Sequence, residues 1–345
     1  MEEMQKDSEV PLPGGRIKVG IVYNLKKGVH SDAPDAEAEL DHITTVEAMQ
    51  SALAAGGYEA VLLEADQHLT ERLGTEKPDI VFNIAEGLNG RGREAQVPAM
   101  LSFLSIPYTG SDETTLCVAL DKMLTKQILS VHHVRTPHAL VAVNGKLPHG
   151  KALNYPVIVK PNCEGSSKGI SDVSIASSKE ELQALLKRAN ALYHEDMLVE
   201  EYIEGREFTV GILGNGSDAK VFPPMEIIYK MPTQGDFHVY SYNVKQDYEK
   251  YVSYECPPKL TAKQTDEMVR TAKKVFLTLG CRDFTRVDFR MDKDGGIYFI
   301  EVNPLPGLAP HYSDYPMLAE FSGVPYETLV QGVLKAALKR LKMEG

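Results

Sequence analysis

A three-lobed chain, α/β at its start and α+β thereafter, is predicted by three observations. The 345 residues exceed what one small core organises. Short apolar runs alternate with helix-period segments through the first third. Near the C-terminal end, two strand-like runs flank the turn signal DKDGG. The proportions, 43% hydrophobic and 25% charged, are those of a globular protein. The net charge, 37 − 48 = −11, argues against an extended nucleic-acid or anionic-membrane surface and leaves room for a local basic pocket. Cys117, Cys163, Cys256 and Cys281 are far apart and form no CxxC or Cys/His cluster, so neither zinc nor a disulfide framework is expected. The start, MEEMQKDSEV, is acidic without an apolar stretch, and no run approaches the ~18 apolar residues that span a bilayer. A cytoplasmic protein with no nucleic-acid or membrane partner is the expectation.

Residues 1–16 read as a polar tail. IKVGIVYN (17–24), YEAVLLEA (58–65) and PDIVFNIAEG (78–87) have the continuous apolar character of buried parallel strands. Between the first two, Ile43, Val46, Met49 and Leu53 mark a helix over 40–55, stopped by Gly56-Gly57. A second helix is expected over 94–104, and the first lobe is bounded at 17–113. A helix over 113–131, the strand YPVIVKP (155–161), a helix over 178–191, and strands MLVEEYI (197–203) and REFTVGILG (206–214) make a smaller lobe, 114–212. The last lobe, 213–345, holds VFPPMEIIY, an irregular Tyr-rich stretch from Pro232 to Pro258, and a helix over 262–279. The strands FTRVDFRM (284–291) and GIYFIEVN (296–303) and a closing helix over 326–343 complete it.

That last strand pair carries the most chemistry. With a turn at 292–295, Arg286 falls opposite Glu301 and Asp288 opposite Phe299. Period-2 alternation then gathers Arg286, Asp288, Phe299, Glu301 and Asn303 on one face. Asp288 and Glu301 become diagonal neighbours about 7–8 Å apart. All-oxygen ligation by Asp, Glu and Asn suits Mg²⁺ or Mn²⁺, not zinc. The plainer alternative is a surface hairpin on which Arg286 neutralises two acids. Lys160 ends an apolar strand, where a lysine is costly unless paired. Lys160 and Lys122 are candidates for binding a polyphosphate; a snorkelling surface lysine is the commoner reading of Lys122. EGSSKG (164–169) is a small-residue loop able to present backbone N–H groups to a phosphate, and it is not a GxxxxGK[ST] P-loop.

Five ordered blocks resemble the D-alanine–D-alanine ligase family of the ATP-grasp superfamily. They are A119-L-D-K122 with Lys126, V157-I-V-K-P-N-C-E-G-S-S-K-G-I170, L198-V-E-E-Y-I-E-G-R-E-F-T-V210, R286-V-D-F289 and E301-V-N-P-L-P-G307. The resemblance implies a three-lobed ATP-grasp fold: an N-terminal open α/β substrate domain, a central lid and a C-terminal domain with the metal and catalytic site. It implies ATP and Mg²⁺ (or Mn²⁺), held by Asp288, Glu301 and Asn303. Lys122 and Lys160 go to the phosphates, and Glu164 and Ser167 also to the nucleotide. Glu200 is implied at the adenine amino group, the backbones of Tyr202 and Ile203 at the adenine edge, and Glu207 at the ribose. Ser166 would position the first amino acid, Lys245 matches a lid lysine, and Arg286 with the Gly307 N–H would stabilise the tetrahedral oxyanion. The implied reaction activates a carboxylate by γ-phosphoryl transfer; an amine attacks the acyl phosphate, and ADP and phosphate leave. Small amino-acid substrates are implied, and a homodimer is allowed.

The pattern breaks where substrates would bind. In NLKKGVHSDAPDAEAELDH, Glu39 is the nearest match to the acid that receives the first ammonium, with Asp41 as competitor. Arg91 and Arg93 stand in an altered glycine-rich stretch, as anion holders or as exposed loop charges. Gln246 replaces the Tyr or His after the lid lysine. Ser313 matches the turn that holds the second carboxylate, but Asp314 beside it would repel one, and His311 reads as structural. The leading function is therefore a ligase joining two amino acids. The alternatives are a dipeptide or natural-product amide ligase of altered specificity and a non-catalytic nucleotide-binding regulator. A dinucleotide oxidoreductase lacks its GxGxxG after the first strand.

Overall fold

The computed structural model describes residues 16–28, 37–150, 153–165, 174–231, 237–240, 244–245 and 247–343. Ser166, Ser167, Gln246, most of the expected tail and residues 29–36 of the acidic stretch lie outside them.

Continuous apolar runs become strands with helices packed against both faces of their sheet. β1 (Lys18–Tyr23) lies between β2 (Glu59–Glu64) and β3 (Ile80–Asn83) in a parallel sheet. One face is covered by α1 (Ile43–Ala55), the other by α2 (Leu69–Glu76) and α3 (Gln96–Phe103). α2 escaped the periodicity reading because LTERLGTE buries only Leu69 and Leu73. The helix expected over 94–104 starts as a 3₁₀ turn, Arg93–Ala95, before α3.

The helix expected over 113–131 is two, α4 (Glu113–Leu120) and α5 (Lys122–Val131). Asp121 interrupts them with extended backbone, caps α5 by accepting the Leu124 N–H at 3.0 Å, and accepts Asn162 Nδ2 at 2.7 Å. The break makes Lys122 the first residue of α5.

The middle sheet is antiparallel in the order β4-β7-β5-β6, from β4 (Ala139–Ala142), β5 (Val157–Pro161), β6 (Ile175–Ala176) and β7 (Met197–Glu201). α6 (Lys179–Tyr193), capped by Ser178, buries Leu182, Leu185 and Leu186 in its lobe's core. β8 (Gly205–Leu213) departs from expectation. A boundary after residue 212 assigns it to the middle lobe, but it pairs with β10 (Met225–Tyr229) and β12 (Phe284–Asp292) in the last sheet. The physical reason is register: all nine residues of β8 find partners on β12, whereas the loop after β7 ends its pairing with β5.

That last sheet runs β11-β10-β8-β12-β13, with β9 (Lys220–Val221) beside β8, β11 (Val252–Glu255) drawn from the stretch expected to be irregular, and β13 (Ile297–Asn303). α7 (Ala262–Leu279) begins with a Thr261/Gln264 capping box and buries Met268, Ala272, Val275 and Phe276 against it. α8 (Asp314–Phe321) lies so close to β8 that a Cβ on Gly211 would stand 2.7 Å from Leu318. α9 (Tyr326–Arg340) packs on α1 and joins the first and last lobes in one core. Among the described residues no helix is long and apolar enough to cross a membrane.

Candidate active site

The β12–β13 hairpin places its acids differently from the sequence register. Arg286 pairs with Asn303 and Asp288 with Glu301, and beyond a bulge Phe289 pairs with Phe299. Ile300 is the extra residue. The bulge turns Phe299 into the core with Phe289, away from the acids, and sets Asp288 directly across from Glu301 rather than on the diagonal. The Asp292 carboxylate tightens the turn by accepting the Asp294 and Gly296 N–H groups at 2.9 and 2.7 Å.

Both acids are held by neighbours. Asp288 accepts Thr209 Oγ1 at 2.7 Å and Asn303 Nδ2 at 3.1 Å, with Arg286 3.1 Å away. Burial and the facing Glu301 outweigh Arg286 and push the Asp288 carboxyl up. Burial also opposes charge on Glu301, but Lys122, Lys160, Lys245 and Arg286 prevail and hold it well down. Two oxygen-bearing acids that repel one another, with Asn303 alongside, fit a hard divalent cation completed by ligand oxygens. Among the described residues no group of three His, Cys, Asp or Glu is arranged for a metal, so Asn303 and ligand oxygens would have to complete the set.

Two cavities meet at this pair, sharing Tyr240, Lys245, Arg286, Glu301 and Asp314. The one toward the middle lobe is lined by Lys160, Glu200, Tyr202, Ile203 and Glu207. Lys160 is paired as its strand position demands. Its Nζ lies 2.6 Å from Glu200, whose other oxygen is 3.0 Å from Lys126, and all three side chains are almost fully buried. Burial opposes the Glu200 charge and the two lysines overcome it, so this carboxyl titrates below its usual range. Glu200 thus presents a carboxylate already neutralised on both oxygens by lysines, at the wall of the cavity. The Tyr202 N–H is committed to the Pro156 carbonyl at 2.9 Å, which leaves its own carbonyl and the Ile203 backbone as candidates on that loop. Glu207 accepts Tyr229 Oη at 2.7 Å and Arg290 at 3.0 Å.

The other cavity opens between the first and last lobes and holds Lys122, Gly307, Ser313, Glu39 and Asp41. Lys122 is buried rather than snorkelling; it donates to the Glu164 carbonyl and lies 3.7 Å from Glu301. Ser313 accepts the Ala309 N–H at 3.2 Å and packs on Gly307, where a Cβ would meet its Oγ at 2.8 Å. Lys245 lies over the Tyr240 ring, and burial and Arg286 lower its pKa.

Other expectations are redrawn. Glu164 lines neither cavity; its carboxylate turns to Arg93 at 2.9 Å. Arg93 is buried and also grips Glu39 through Nε and Nη2, while Gly165 N–H donates to Glu39 Oε1 at 2.5 Å. Arg91 is an exposed loop charge, paired with Asp121 at 2.6 Å. His311 is exposed, not structural, with Glu320 3.4 Å away. Arg290 was missed: it touches the Tyr202 hydroxyl at 3.1 Å as well as Glu207, and period-2 counting from Arg286 and Asp288 would have found it.

Asp41 offers a pH test. Burial outweighs Lys26 and raises its carboxyl to about 7. Between the ordinary Asp value of about 3.9 and that point, the folded state keeps a proton the unfolded chain releases. Stability should therefore fall as pH rises through this window. Asp41→Asn should flatten the slope of melting temperature against pH, and parallel slopes for both proteins would refute the assignment.

Sequence and structure comparisons agree on one group of proteins. The family profile described as "D-ala D-ala ligase C-terminus" matches residues 143–335. A D-alanine–D-alanine ligase of Carboxydothermus hydrogenoformans is 32% identical, covering 91% of this chain and 99% of that one. Another, of Aquifex aeolicus, is 36% identical over 85% of this chain and 94% of its own length. The crystal structure of the Bacillus anthracis D-alanine–D-alanine ligase complexed with ATP superposes with a TM-score of 0.70 at 24% identity. It covers 95% of this chain and 100% of that one.

Proposed function

As a member of the D-alanine–D-alanine ligase family with its ATP-grasp fold, the chain is an ATP-dependent ligase that forms a C–N bond, and we propose how its own residues do so. The observation that carries the proposal is the meeting of the two cavities at Arg286, Lys245 and Glu301. ATP enters the cavity toward the middle lobe, with its base near Glu200 and the backbones of Tyr202 and Ile203, its ribose near Glu207 and its phosphates near Lys160. The amino acids enter the other cavity, so that a carboxylate reaches the γ-phosphate at the junction.

A carboxylate does not react with an amine at neutral pH until it is activated, and transfer of the γ-phosphoryl group supplies a leaving group. When bound, Mg²⁺ (or Mn²⁺) at Asp288, Glu301 and Asn303 supplies charge neutralisation at the phosphates. Lys160 and Lys122 oppose the remaining charge from either side of Glu301. Arg286, fixed by Asp288 and Asp314, and the Gly307 N–H meet the oxyanion that forms when the amine attacks. Ser166 and Ser167 belong to the loop proposed to close over this junction. ADP and phosphate are the co-products.

D-alanine as both substrates is one reading; an acceptor of altered structure is the other, and one observation favours the second. Asp314 accepts from Arg286 and, at 3.2 Å, from Tyr240 Oη, so an anion already stands beside Ser313, where an acceptor carboxylate would seat. A cytoplasmic location completes the proposal.

ADP release measured with pairs of L- and D-amino acids at fixed Mg-ATP tests it. Turnover with D-alanine alone sinks the altered-acceptor reading. Nucleotide binding without ADP release from any pair favours a regulator. Arg286→Lys should lower kcat about 100-fold with little change in the KM for ATP, because a lysine loses the planar fork shared with Asp288 and Asp314. A wild-type kcat in that variant refutes the oxyanion role.

A further inference from the structure

The cavity that receives the amino acids carries more acid than the ligase reading uses. Asp41, Glu86 and Glu94 line it toward the first lobe. None of these three carboxylates makes a hydrogen bond or a contact ion pair with a described residue. Glu94 is 7% exposed, held by the 3₁₀ turn that precedes α3. The cation beside it in sequence is already committed, since Arg93 turns to Glu39, Glu164 and the Cys163 carbonyl. Glu39 in turn has both oxygens occupied by Arg93, and one of them also by the Gly165 N–H. The acid first matched to a substrate ammonium is therefore the one least free to meet it.

A buried carboxylate without a partner, as at Glu94, costs free energy, and with half-buried Asp41 and Glu86 lining the same cavity the group is no device for stability. Burial, and the repulsion of Glu86 by Glu94, Glu39 and Asp41, hold the Glu86 carboxyl well above its usual range, and burial with Glu39 and Glu164 raises Glu94 against the pull of Arg93 and Lys122. A ligand cation relieves all of these terms together. An amino acid with its carboxylate toward Arg286 and Lys245 directs its α-ammonium and side chain toward this acid end. One α-ammonium brings a single positive charge against three acids, whereas a second cation on the side chain matches them better.

We propose that Asp41, Glu86 and Glu94 form a binding site for the basic side chain of a diamino acid substrate. The inference rests on the ligase reading for the orientation of that substrate. It is tested by two measurements on the full chain, each with alanine, 2,3-diaminopropionate, ornithine and lysine in both chiralities. One is ADP release at fixed Mg-ATP and the other is calorimetric binding. The best diamino acid should exceed alanine of the same chirality by about tenfold or more in calorimetric affinity, and in kcat/KM where there is turnover. Glu94→Gln and Glu86→Gln should each shrink that ratio severalfold while leaving ADP affinity unchanged. A smaller ratio in the wild type, or an unchanged ratio in both variants, overturns the site. ADP release with alanine pairs and no diamino preference removes this inference alone. Diamino preference in calorimetry without ADP release from any pair removes the ligase chemistry and leaves the site standing.

Discussion

Glu301→Gln is expected to reduce ADP release at least about 1,000-fold, because the substitution removes one of two carboxylates able to hold a divalent cation against the phosphates. The same change should cost stability. Glu301 faces Lys122 at 3.7 Å and is held ionised by Lys160, Lys245 and Arg286 as well. Its folded-state pKa is depressed, so its contribution is present above the ordinary carboxylate value and is lost as pH falls through the folded one. At pH 7 the glutamine variant should therefore unfold at lower denaturant, by an amount on the order of 3 kcal/mol. In strong acid the gap should narrow, since the wild-type carboxylate is then protonated too. Turnover within tenfold of the wild type would falsify the metal assignment, whatever the stability.

A second large effect is expected at Glu200. Its carboxylate sits between Lys126 and Lys160, and glutamine there leaves two buried ammonium groups without an anion. Breaking such an arrangement costs about 3–5 kcal/mol. Lys126 is the lysine expected to yield, since burial already lowers its pKa while the neighbouring acids raise that of Lys160. A lysine with a depressed folded pKa makes stability rise with pH, so the Glu200→Gln deficit should shrink as the buffer is taken from pH 7 toward 9. Urea denaturation across that range measures it. Adding Lys126→Met should recover part of the loss by removing the charge left unpaired. Equal urea midpoints for Glu200→Gln and the wild type at pH 7 would refute the arrangement.

The sequence was most informative where local pattern and chemistry coincide. The α7 helix was bounded correctly, and β1, β2, β12 and β13 were found within two residues by apolar runs and the DKDGG turn. Asp288, Glu301 and Asn303 were gathered correctly on one face, and Lys160 was rightly read as a buried lysine in need of a partner. Short elements with few buried side chains, such as α2, carried too weak a period to be seen.

What the sequence by itself determined was the order of elements, the family and the residue types at the junction, because these depend on neighbours along the chain. Only the tertiary structure decided which charge meets which. The bulge at Ile300 set Asp288 across from Glu301, and the break at Asp121 set Lys122 beside Glu301. Arg93 met Glu39 and Glu164, and Lys126 joined Lys160 on Glu200. Each of these pairings joins residues more than 10 positions apart and is fixed by burial, where an unpaired charge costs more than any local preference supplies. Pairing under burial is a property of the packed molecule, and it leaves the Asp41, Glu86 and Glu94 carboxyls facing a cavity with no described cation in contact.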